Sequence, residues 1–70
     1  MSRMIDITVN GRPTQIDRPM PIDELLVTVE VPKNYLAVEV NEDVVPREEY
    51  GATIVAEGDR VEVVTLVGGG

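Results

Sequence analysis

Apolar and polar residues alternate strictly from Ile5 to Asn10, with Ile5, Ile7 and Val9 on one side and Asp6, Thr8 and Asn10 on the other. This period of two predicts a strand from about Met4 to Val9 with one buried face. Asn10-Gly11 follows. Both central residues of a type I′ turn need φ > 0, so the chain is expected to reverse there into a second short strand around Thr14 to Asp17. The period then changes. Ile22, Leu25, Leu26 and Val29 stand at i, i+3, i+4 and i+7, with Pro21 suited to a first helical turn and Asp23 and Glu24 near the positive dipole end. A helix is expected from about Ile22 to Glu30, against the resistance of Val27, Thr28 and Val29, whose branched side chains lose rotamer freedom in a helix. Pro32 stops it, because it lacks an N–H and disfavours helical geometry at Val31.

Alternation resumes at Leu36, Val38 and Val40, the expected inner face of a third strand, with Ala37, Glu39 and Asn41 on the other side. Asn41, Glu42 and Asp43 read as a turn. Beyond it lie a short helical turn near Arg47 to Tyr50, a brief extended piece at Ile54-Val55 and a tight turn at Glu57 to Asp59. The last strand is expected from Arg60 to Val67. Val61, Val63, Thr65 and Val67 form its inward face, while the opposite face starts polar at Glu62 and turns apolar at Val64 and Leu66. One helix on a mixed sheet of four to five strands is a two-layer α+β domain, with the first and last strands as parallel central neighbours. That is the β-grasp, or ubiquitin-like, plan. It assigns residues 1–67 to the domain and 68–70 to a glycine tail.

Seventy residues hold one small core, and with no Cys and no His neither a disulfide framework nor a Cys/His zinc site can brace it. Stability rests on Val, Ile and Leu packing, with Tyr35 and Tyr50 as the only aromatics. A net charge of -7 repels nucleic acid and anionic membrane surfaces, and selects partners with basic patches. The sequence has no membrane-length apolar segment and no secretion signal at its start; with no Cys, a reducing cytoplasmic setting is expected.

Enzymatic chemistry is hard to build from this inventory. A nucleophile-base pair of the usual kind needs the missing His or Cys. The carboxylate pairs Asp23-Glu24, Glu42-Asp43 and Glu48-Glu49 lie in polar segments and read as solvated surface, as does Lys33, because acid catalysis needs a buried group. Gly68, Gly69 and Gly70 cannot cradle phosphate, since no helix or Lys-Ser/Thr follows them. A frayed end is the plain reading of these glycines. Their geometry offers another: three extended residues reach about 10 Å, and without Cβ atoms they pass through a channel closed to any side chain. Val64, Leu66 and Val67 are then candidates for docking the domain on an enzyme that receives the tail.

The stretches "VNG", "DELL", "LAVEVNEDVVPREEY" and "EGDRVEVVTLVGGG", in that order over nearly the whole chain, resemble the ThiS family of sulfur carriers in thiamine thiazole biosynthesis. The resemblance implies that the Gly70 carboxylate is adenylated by an ATP-using, ubiquitin-activating-type adenylyltransferase (ThiF-like), with ATP used by that partner and no cofactor or metal on the carrier. It further implies conversion to a thiocarboxylate with sulfur from a cysteine desulfurase route, then delivery to thiazole synthase (ThiG-like). Gly69 matches the family's Gly-Gly end and Gly68 adds a third glycine, both serving recognition of the tail. The carrier itself is then no enzyme. Sulfuration of molybdopterin or of an amino acid shares the same tail chemistry; a non-covalent β-grasp module with an inert end and a ubiquitin-like conjugating modifier are further readings.

Overall fold

In the computed structural model, which describes residues 4–65, strands β1 (Ile5–Val9) and β2 (Arg12–Ile16) form the expected hairpin, with Ile5 opposite Ile16 and Val9 opposite Arg12. Asn10 and Gly11 take φ values of 53° and 80°, the left-handed pair that a type I′ turn requires. A two-residue strand, β3 (Met20–Pro21), then runs straight into helix α1 (Ile22–Thr28). The helix buries Ile22, Leu25 and Leu26 and half-buries Val29, so the spacing of apolar residues marks its inner face correctly.

The helix stops at Thr28, short of the expected Glu30, because the backbone closes on itself there. Glu30 turns to φ 59°, its N–H donates to the Val27 carbonyl (3.1 Å), and the Val31 N–H donates to the Leu26 carbonyl (3.0 Å). These are the two bonds of a Schellman motif, whose left-handed position favours glycine. Glu30 holds it with a Cβ penalty. Glu30→Gly is therefore expected to stabilise the fold by about 1 kcal/mol in urea unfolding. The same gain is expected from Glu42→Gly, since Glu42 stands at φ 73° in a second two-residue turn after Asn41 at φ 53°.

That turn joins β4 (Tyr35–Val40) to β5 (Asp43–Val45), a strand the sequence reading missed. Only Asn41 and Glu42 are consumed in the reversal, which leaves Asp43 free to pair with Val40 rather than belong to the turn. The chain continues through a 3₁₀ turn (Arg47–Glu49) and β6 (Ile54–Val55) to β7 (Arg60–Thr65). The main sheet has the order β2-β1-β7-β4-β5, with β7 parallel to β1 and antiparallel to β4; β3 and β6 pair separately. This is the β-grasp arrangement, one helix on a five-stranded mixed sheet. Short polar links fix the crossings: the Asn10 side chain accepts from the Val63 N–H (2.8 Å), and Asn41 accepts from the Arg60 N–H (2.9 Å) while donating to Asp59 (3.1 Å).

The core lies between α1 and the sheet face carrying Ile5, Ile7, Val38, Val61 and Val63, and is closed by Met20, Val55 and Tyr50. Two inward expectations fail. Leu36 is 57% exposed because the β4–β7 register shifts between Tyr35 and Ala37, and the bulge turns Leu36 out while Tyr35 packs on the core. Thr65 is exposed for the same reason: it stands opposite Tyr35, beyond the bulge, where the aligned inner face has ended. The Val67 assignment lies outside the described residues.

Tyr50 is buried, and its hydroxyl has no hydrogen-bond partner among the described residues. Burial pushes its phenol above the ordinary value of 10.0. The unfolded chain then ionises before the folded one, so this group costs stability as pH rises past about 10. Tyr50→Phe should leave neutral-pH stability unchanged or raise it by about 1 kcal/mol, and should flatten the alkaline decline in thermal melts.

Candidate functional site

Strand β7 is the middle strand of the sheet, held on one side by β1 and on the other by β4. Its last described residue, Thr65, pairs with Tyr35 at the start of β4. Tyr35 is itself pinned: the Arg47 guanidinium lies 4.6 Å from its ring centroid and donates to its carbonyl (3.0 Å), and the ring stacks on Tyr50 at 6.3 Å. The root of whatever follows Thr65 is thus set by a cation–aromatic stack. Sequence reasoning assigned no role to Tyr35 or Arg47, and their only signal was being an aromatic and a cation in segments otherwise aliphatic or acidic.

Of the residues expected to dock a partner, Val64 is described, and it is 39% exposed on the face away from the helix, opposite Ala37. Glu62 pairs directly with Glu39 on that face, and Val44, 64% exposed, is the next neighbour of Glu39 on β5. Like charges facing each other across strands weaken a sheet. The outer face therefore joins exposed aliphatic groups to a local concentration of negative charge, which suits a partner surface that is apolar with basic surroundings. Leu66, Val67, Gly68, Gly69 and Gly70 lie outside the described residues.

Apart from the Tyr50 phenol, no polar or charged side chain is buried among the described residues, and no group of His, Cys, Asp or Glu there could hold a metal ion. The three carboxylate pairs are on the surface as expected. Glu24 bonds Arg18, Glu42 reaches Arg60 at 4.0 Å, and Asp23, Asp43, Glu48 and Glu49 are exposed. Lys33 is exposed too. Among the described residues no helix is long and apolar enough to cross a membrane. Such a surface offers no shielded acid or base.

Comparison with known proteins matches this geometry to a family. The crystal structure of the thiamine biosynthesis protein ThiS from Geobacter metallireducens superposes with a TM-score of 0.82 at 39% identity, covering 94% of this chain and all of that one (100%). The uncharacterized protein ycf40 of Porphyra purpurea is 30% identical over 70 residues, 100% of this chain and 99% of its own length. A thiazole synthase of Paramagnetospirillum magneticum is 33% identical over 64 residues, 91% of this chain but only 20% of that enzyme. The ThiS family model matches residues 7–70, a span that runs from β1 through all three terminal glycines. The chain belongs to the ThiS family.

Proposed function

We propose that the protein is a sulfur carrier that brings sulfur to thiazole formation as a thiocarboxylate on Gly70. The observation that carries this reading is the family match extending through Gly70 on a domain whose central strand leads to that end. A Gly70 carboxylate oxygen attacks the α-phosphorus of ATP on an activating partner, pyrophosphate leaves, and an acyl-adenylate results. A persulfide sulfur, supplied through a cysteine desulfurase route, then attacks the carbonyl carbon, AMP departs with the electrons of the broken C–O bond, and a thiol of the supplying protein reduces the resulting acyl disulfide, leaving the thiocarboxylate and a disulfide on that protein. The carrier's own side chains take no part, in keeping with described residues among which no Asp, Glu, Lys or Arg is buried. Lacking Cys, the carrier also presents no thiol to intercept its activated end.

Two thiazole synthases, from Paramagnetospirillum magneticum and Magnetococcus marinus, contain a segment similar to this chain within a much longer one. Joining such a segment to the synthase raises its local concentration at the point of use. That similarity supports thiazole synthase over a molybdopterin or amino-acid acceptor as the receiving partner. Docking uses Val64 on the outer face together with Leu66 and Val67, while Gly68 and Gly69 are the tail residues that the partner recognises.

Incubated with an activating enzyme, ATP and a sulfur source, the chain should gain the difference between sulfur and oxygen, about 16 Da, in intact mass. An unchanged mass beside a working positive control rejects the carrier reading. Val64→Glu adds charge to the face that docks, and its KM for activation should rise roughly tenfold. Because Val64 is outside the core, its melting point should move little. Equal losses of binding and stability would remove Val64 from the docking surface.

A further inference from the structure

Strand β7 loses one of its two neighbours before its last described residue. Its parallel pairing with β1 runs only to Val61, and one further hold from that side, the Asn10 side chain, takes the Val63 N–H. Among the described residues, Val64 and Thr65 are then paired through β4 alone, with Ala37 and Tyr35. The bulge falls between those two pairs, with Leu36 as the extra residue. A bulge disrupts the ladder locally, so the pair beyond it draws little support from the regular sheet. The Tyr35–Thr65 pair, from which the rest of the chain continues, depends on an anchor outside the strands.

Arg47 supplies one. It opens the 3₁₀ turn, whose backbone is tied down by three bonds: the Glu49 N–H donates to the Pro46 carbonyl (2.9 Å), the Tyr50 N–H to the Arg47 carbonyl (3.1 Å), and the Ile22 N–H to the Tyr50 carbonyl (3.1 Å). From this base the guanidinium grips Tyr35 twice, over its ring and at its carbonyl. The chain has thirteen acidic residues, and Glu48 and Glu49 follow Arg47 directly. Among the described residues Arg47 nevertheless forms no ion pair, whereas Arg18 bonds Glu24 and Arg60 reaches Glu42. A planar guanidinium can stack on a ring and donate from its edge at the same time, which the point charge of a lysine cannot.

We propose that Arg47 is a positioning residue for activation: by clamping Tyr35 it holds the Tyr35–Thr65 pair in one orientation, and so fixes the point from which Gly70 is presented. Its use in activation rests on the carrier reading, but the clamp is a property of the isolated chain. Without the clamp, the pair beyond the bulge samples several orientations. If about a tenth of the molecules keep the productive one, kcat/KM for activation falls about tenfold.

Backbone ¹⁵N relaxation of the isolated chain reads the clamp directly. Arg47→Met keeps a long stem and removes both charge and donors. In this variant the order parameter of Thr65 should fall from about 0.85 to below about 0.6, while Val61 and Val63 keep theirs. Its melting temperature should move little, because Arg47 is exposed. An unchanged Thr65 overturns the proposal. So does a loss of order shared by all of β7 together with a lower melting temperature, because Arg47 is then a general support of the sheet. With an activating enzyme and ATP, pyrophosphate release should give a kcat/KM about tenfold lower for Arg47→Met and for Arg47→Lys alike. A lysine variant as active as the wild type overturns the proposal too, since Arg47 then acts as a surface charge. A wild-type chain that releases no pyrophosphate counts against the carrier reading instead, and the relaxation result still decides whether the clamp exists.

Discussion

Deleting Gly69 and Gly70 is expected to abolish thiocarboxylate formation and to leave the fold as stable as before. Among the described residues the buried core runs from Ile5 to Val63, and the core residue nearest to the glycines in sequence is Val63. Melting temperature should therefore be unchanged within error. Activation, in contrast, needs a carbonyl at the end of an arm that reaches a shielded site. Without its last two residues the arm is shorter by about 7 Å, a distance no side-chain adjustment restores. A displacement of even 1 Å at a reacting centre can lower a rate about a hundredfold, so the loss should be complete at the sensitivity of mass spectrometry. If the shortened chain still docks its partners and supports its biological activity, the glycines are an inert end and the protein acts by non-covalent contact.

The second large effect falls on the fold. Leu25 is fully buried on the inner face of α1, at 0% exposure, and α1 is the single helix covering the sheet among the described residues. Leu25→Ala removes transfer free energy and leaves a cavity, for a loss of about 2 to 5 kcal/mol. A domain of this size has a total stability of only about 4 to 10 kcal/mol. Leu25→Ala should lower the melting temperature by about 10 °C or more and leave a measurable unfolded fraction at 37 °C. Exposed Val27 on the same helix makes the control, since Val27→Ala should change stability by no more than about 0.5 kcal/mol.

Much of this architecture is legible in the order of residues. The alternation of Ile5, Ile7 and Val9, the Asn10-Gly11 turn, and the helical spacing of Ile22, Leu25, Leu26 and Val29 each match one local physical rule, and each element formed there, the helix ending two residues early at Thr28. What escaped depends on pairing across the chain. Strands β3 and β5 are two and three residues long, too short to show a period, and exist because Met20 finds Val55 and Asp43 finds Val40. The bulge at Leu36 is likewise invisible locally, since it arises from the fit of β4 against β7. At the candidate site, Val64 was legible as an aliphatic residue on the polar side of its strand. Tyr35 and Arg47 were not, because Tyr35 matters through its pairing with Thr65, thirty residues away in sequence, and Arg47 through its contacts with Tyr35, twelve residues away. The glycine arm was recognisable from composition, and its cargo only from family resemblance.

The negative outer face also connects fold to function. Glu39 and Glu62 oppose each other at a cost to the sheet that a neutral pair would avoid. A carrier that must leave one enzyme and dock on another benefits from attraction that acts at a distance and weakens with salt.

The central claim is that sulfur resides on the last glycine, and fragmentation of the intact protein after reaction tests it directly. The account predicts that the added mass of about 16 Da appears only in fragments that contain Gly70. The same mass gain on fragments lacking Gly70 would contradict it, because sulfur would then be carried by the domain rather than by its arm.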